Sequence, residues 1–161
     1  MPTTPRLLPA ALLSLALLSA SALPQARADA TTGAAPAACT PHIAEGWLRA
    51  PPMPMPMMAG FARVVNPCAA DVVVTGARSE AFASVELHET RVVDGVSRMR
   101  AVAEVPVAAA GEAVMRPGGL HLMLMQPVSA LAEGDTAEVE LLLADGRSIV
   151  ATFEVRAPDA R

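Results

Sequence analysis

Leu120-His121-Leu122-Met123-Leu124-Met125 alternates without a break. Alternation with a period of two is the signature of a strand, and it sends Leu120, Leu122 and Leu124 to one face and His121, Met123 and Met125 to the other. Leucines are the natural core side, so the imidazole and the thioethers point away from the core. A face with no packing need for thioethers is a place to look for chemistry.

Working outward, the same texture recurs. Ala59 to Val65, Asp71 to Ala77, Ser84 to Thr90, Ser97 to Ala103, Ala137 to Leu143 and Ser148 to Val155 are rich in Val, Leu and Ala. Asn66-Pro67, Asp94-Gly95, Pro117-Gly118-Gly119, Gly134-Asp135 and Asp145-Gly146 punctuate them, and the two Asp-Gly pairs are hairpin signals. No stretch has apolar residues at helical spacing between caps, and Pro127 to Leu131 offers a single turn at most. Seven or eight short strands predict an all-β fold, a β-sandwich or small barrel in a single domain. If Asp94-Gly95 is a two-residue loop, Val93 pairs with Val96, Val92 with Ser97, Thr90 with Met99 and His88 with Ala101. His88 and Met99 then become diagonal neighbours on one face.

The first 28 residues read as an address. Arg6 supplies a positive n-region, residues 7–23 are apolar and small, and Ala26-Arg27-Ala28 is an A-x-A cleavage site. Pro9 and the serines within the run argue against a membrane span, and no stable membrane insertion is expected. Residues 29–40 carry mostly small side chains and read as a disordered lead, 41–157 as the folded domain and 158–161 as a short tail. The expected product is an exported, periplasmic monomer. Its formal charge of -4 becomes more negative once Arg6 and Arg27 are removed, which argues against nucleic acid as a partner. Export also places Cys39 and Cys68 where disulfides persist. A Cys39–Cys68 bridge closing a loop of about 30 residues is worth roughly 3 kcal/mol in the loop-entropy model. Metal binding by these cysteines, with His42 nearby, is the weaker alternative.

His88, Met99, His121 and Met123 remain as candidate ligands. Two imidazoles and two or more thioethers, with no thiolate, suit soft or borderline metals and Cu(I) above all. Thioethers need no deprotonation and form no disulfide, an advantage in an oxidising compartment, although sulfoxide formation threatens them. The expected site is shallow and surface-facing, open to ligand exchange with an incoming protein. Glu86 and Glu89 could orient His88 but are read as solvated.

Val85 to Thr90, Arg98-Met99-Arg100 and Pro117 to Met125 together resemble the PCuAC family of periplasmic copper chaperones. That family's motif is a His, ten residues, a Met, twenty-one residues, then His-x-Met, and His88, Met99, His121 and Met123 fit it. The likeness extends from about Ala44 to Val155 and includes Trp47 to Pro52 and Glu133-Gly134-Asp135. It implies a cupredoxin-like, Greek-key β-sandwich that binds Cu(I) and helps metallate cytochrome c oxidase. Subunit II of that oxidase, or a Sco-type protein, is then the copper-accepting partner.

Met53-Pro54-Met55-Pro56-Met57-Met58 departs from the family pattern. Its methionines are read first as adaptable filler at the sandwich edge. The alternative is an auxiliary copper-collecting loop kept extended by its prolines, to which Met125 could add a further thioether. Two rival functions are weighed. A blue electron-transfer site needs a thiolate near His121, and neither cysteine lies there. A metal-free structural or adhesive sandwich predicts no stoichiometric copper. An enzyme is not expected, because no nucleophile-elbow, zincin or phosphate-loop spacing is present.

Overall fold

The computed structural model describes residues 39–53 and 55–161. The leader expected over 1–28 and all but the end of the lead expected over 29–40 lie outside the described residues. Ten strands follow in chain order: β1 (His42–Arg49), β2 (Met57–Asn66), β3 (Val72–Arg78), β4 (Phe82–Val93), β5 (Val96–Ala101), β6 (Val105–Val107), β7 (Gly111–Met115), β8 (Leu120–Pro127), β9 (Thr136–Leu143) and β10 (Ser148–Arg156). No helix interrupts them among the described residues.

Hydrogen bonding runs β5-β4-β8-β2-β1-β10-β9-β3-β6, with β7 added to β2. The single pair Ala77↔Val85 joins β3 back to β4, so seven of the strands close into a barrel-like ring. The expected all-β, single-domain architecture is what forms, with its layers joined edge to edge. β1 and β10 run parallel, a pairing that no hairpin can make.

Inside the ring lie Leu48, Val64, Val74, Leu122, Leu124, Val139, Leu141 and Phe153, all fully buried. Burying a side chain of this size is worth about 1.5–3 kcal/mol, so this face drives folding. The inward leucines of Leu120-Met125 take their expected places, Leu122 and Leu124 deeply and Leu120 at the margin. β2 approaches β8 closely at Gly60, where a Cβ would stand 2.9 Å from Leu124 Cδ1 and 3.1 Å from Leu48 Cδ2. A side chain at this position would have to push those leucine ends aside.

The Asp94-Gly95 turn forms with both residues at positive φ, 53° and 76°, and every pair expected across it is present. Three strands were not foreseen. β6 and β7 are three and five residues long, and β6 has Pro106 at its centre, so neither gives a readable alternation. β1 is broken by a register shift between Ile43 and Glu45, which scrambles its period. At the end of the ring where β2 finishes and β1 begins, Cys39 and Cys68 are disulfide-bonded with Cα atoms 5.5 Å apart. Beside them the fully buried Asn66 is satisfied, donating through Nδ2 to the carbonyls of Ala70, Val107 and Ala108 and accepting from Cys68 N.

Candidate metal centre

The outer face of the ring carries a row of side chains crossing five adjacent strands. Arg156 on β10 lies over the Trp47 ring of β1 at 5.3 Å, and Trp47 packs on Phe61 of β2 with centroids 4.5 Å apart. Phe61 stands 6.4 Å from the His121 ring of β8, and His121 stands 5.9 Å from His88 of β4. Register explains the row: Trp47↔Phe61 and His88↔His121 are direct cross-strand partners. Trp47 and Phe61 are buried although they lie outside the main core, because the Arg49 guanidinium caps both rings, 4.9 Å from Phe61 and 5.7 Å from Trp47. A small second core thus supports the imidazoles from one side.

Both histidines have their ring protons assigned by their partners. His121 Nδ1 lies 2.9 Å from the Gly119 carbonyl, which can only accept, so Nδ1 carries the proton. In the neutral ring Nε2 then presents a lone pair, and it faces Met99 Sδ at 3.2 Å. Nitrogen and sulfur meet as two donors of electron pairs with no hydrogen to share. On His88, Nε2 donates to the Glu86 carboxylate at 2.9 Å. Its other nitrogen, Nδ1, is buried and has no hydrogen-bond partner. A buried unpaired polar atom is costly and calls for a reason. A carboxylate or carbonyl holding one ring nitrogen while the other stays free is the usual support of a metal-binding histidine.

Met123 completes the set. It lies opposite Glu86 and Ala59, on the same face as His121, and is only 9% exposed. Met99, on β5, is 54% exposed and reaches back to His121. The four residues singled out by spacing therefore share one face of β5, β4 and β8. The site differs from the shallow surface expected, since His121 at 7% exposure and Met123 are buried while Met99 forms the open side. Glu86 is not merely solvated, because it fixes the His88 ring. Glu89 points elsewhere, ion-paired with Arg91 at 2.8 Å and Arg100 at 2.9 Å. Those bonds, Arg91's first, hold its carboxyl below the usual range.

The remaining sequence candidates divide. Met57 and Met125 face each other across β2 and β8, both half-buried. Met53 and Met55 are exposed at 65% and 42%. Met58 belongs to the inner core, opposite Leu124, and also borders the groove lined by Met55, Met57 and Met123. Sequence reasoning set Glu86 aside as solvated and missed the Gly119 carbonyl and the Trp47–Phe61 support. Glu86 was legible, being two residues from His88 and so on its face. Among the described residues no group of three or more His, Cys, Asp or Glu side chains is placed to hold a metal. Hard cations, which need oxygen ligands, therefore find no such cluster there.

Comparison with known proteins bears on the family and the fold. A family described as LpqE-like matches residues 42–155. A protein of Leifsonia xyli subsp. xyli named as a lipoprotein, Lxx21020, is 32% identical over 106 residues, 65% of this chain and 63% of the relative. The chain thus spans less than two thirds of that relative's length. Among solved structures, the PCuAC domain of PmoF2 without metal is 26% identical with a TM-score of 0.59, covering 73% of this chain and 90% of that one. The copper-bound form of the PmoF2 domain scores 0.59 at 24% identity, covering 72% and 92%. Cu(I)-loaded DR1885 from Deinococcus radiodurans scores 0.60 at 24% identity, covering 74% and 81%. With a fold shared with PCuAC domains and a family match over its whole β-domain, the chain belongs to the LpqE-like family.

Proposed function

We infer that the protein is a copper chaperone that binds Cu(I) as cargo through His88 Nδ1, His121 Nε2, Met99 Sδ and Met123 Sδ. The observation that carries this reading is the 3.2 Å approach of His121 Nε2 to Met99 Sδ, which are two electron-pair donors when the ring is neutral and Nδ1 holds its proton. It is the spacing of two donors on one ion whose bonds run about 2.0–2.3 Å. The unpaired His88 Nδ1 supplies a third donor without breaking any bond of the protein. Neutral imidazole and thioether together favour the soft monovalent ion. Copper-bound and Cu(I)-loaded structures among the fold relatives support the choice of metal.

Transfer proceeds by ligand exchange. Met99 is the exposed ligand and is the first to be replaced by a donor from the recipient, after which His88, Met123 and His121 release in turn. The recipient is a copper-accepting protein with a site richer in thiolate or imidazole, such as cytochrome c oxidase subunit II or a Sco-type protein. The leader-like residues 1–28 and the lipoprotein relative support export, and the periplasm is the compartment proposed. Cu(I) titration under reducing conditions, with X-ray absorption on the product, tests the site. One tightly bound ion fitted by both nitrogen and sulfur scatterers is expected; no bound copper, or a shell without sulfur, overturns it.

A further inference from the structure

The methionines between Pro52 and Ala59 are left over once the four-ligand centre is described. Two of them, Met53 and Met55, are too exposed to be packing filler. Met55 and Met57 line a groove of about 180 Å³ whose far wall is Met123, a ligand of the first centre. Met57 and Met123 are diagonal neighbours across β2 and β8, since Met57 opposes Met125 and Ala59 opposes Met123. Diagonal partners of this kind lie within reach of long side chains.

The segment that bears Met55 is anchored on either side. Ala50 N donates to Arg156 O at 2.9 Å at its start, and Gln126 N donates to Pro56 O at 2.6 Å at its end. Pro51, Pro52 and Pro56 restrict the backbone between those anchors, so holding the thioethers in place costs little further entropy. Pro51 and Pro52 also wall the groove, which contains no carboxylate and no imidazole. Arg49 closes one side, its guanidinium turned onto Phe61 and Trp47 and donating to Ala160 O at 3.0 Å. A pocket whose donors are thioethers offers nothing to a hard cation and suits a soft monovalent one.

We propose that Met55, Met57 and Met123 form a second soft-cation site, joined to the His/Met centre through the shared Met123. The proposal takes its metal and one ligand, Met123, from the function inferred above, while Met55 and Met57 are its own. Cu(I) entering at the exposed Met55 then reaches the buried imidazoles by passing along thioethers, never through bulk solvent.

Carbon-13 labelling of the methionine methyls in the full chain, titrated with Ag(I) as a redox-inert soft cation, tests it. Two variants accompany the parent: His88→Ala/His121→Ala, and Met55→Leu/Met57→Leu, the latter conserving volume on partly exposed positions. In the histidine variant the Met55, Met57 and Met123 methyls are expected to move while Met99 stays within a tenth of its parent shift. In the leucine variant the Met99 and Met123 methyls are expected to move as in the parent, and loading from a Cu(I)–chelator complex is expected to slow about tenfold. Met55 and Met57 methyls that ignore Ag(I) in both the parent and the histidine variant overturn the second site and leave the first standing. Met99 unmoved in the parent, with Met55 and Met57 shifted, overturns the first and leaves the second. Unchanged loading of the leucine variant overturns the route.

Discussion

β8 and β5 each give residues to the proposed centre, yet they are opposite kinds of strand. β8 is bonded on both sides, to β2 and β4, and carries His121 and Met123 buried against Phe61 and the β4 residues. β5 is an edge strand paired with β4, and all six of its residues are exposed. The difference teaches how one site can hold an ion and still part with it. The interior half is positioned by the fold before any ion arrives, while the outer ligand rests on the part of the sheet with least to lose by moving.

The comparison can be broken most decisively at the buried half. His121→Ala is expected to abolish stoichiometric Cu(I) binding, weakening it by at least about 100-fold, beyond what outer-shell partners cost. Competition with a chromophoric Cu(I) chelator measures this, and near-parental affinity would show that β8 is not the fixed half. Next in size is Glu86→Ala, which frees the His88 ring and should weaken binding about 10- to 100-fold. Its thermal midpoint should hardly change, because the Glu86 side chain is largely exposed. Smaller again, Met99→Leu should cost about tenfold in affinity, the low end of that range, and nothing measurable in stability. A larger loss than for His121→Ala would reverse the assignment of the two halves.

The smallest effect lies away from both strands. Arg78 donates to Glu140 across β3 and β9 and holds the Glu140 carboxyl below its ordinary range. A depressed folded value means stability that is present above the unfolded carboxyl value and is lost as pH falls through the folded one. Both residues are solvent-accessible, so Glu140→Gln should flatten the acid limb of a pH–stability curve only slightly. The Cu(I) affinity at neutral pH should not move.

Much of this was legible because strands repeat every two residues. The Leu120 to Met125 alternation gave the inner and outer faces of β8, and Asp94-Gly95 gave the register that sets Met99 near His88. How deep the outer face lies was not legible. Burial of His121 depends on Phe61, itself covered by Trp47 and Arg49, and these residues come into place only because β2 and then β1 are the next strands along. Neighbour order across a sheet is a long-range property, and no local pattern encodes it. β6 and β7 escaped for a simpler reason, being too short to show a period.

The ring closes between β3 and β4 through one residue pair, Ala77↔Val85, whereas β4 meets β8 along the ladder from Phe82↔Pro127 to Glu89↔Leu120. Mechanically, that gap is bridged by packing, because Phe82 and Leu87 of β4 reach into the inner core and hold β4 in the ring. β5 lies outside the ring and buries none of its residues, so it is the strand beside the proposed centre that can lift without uncovering the core, as a loose page lifts from a bound book.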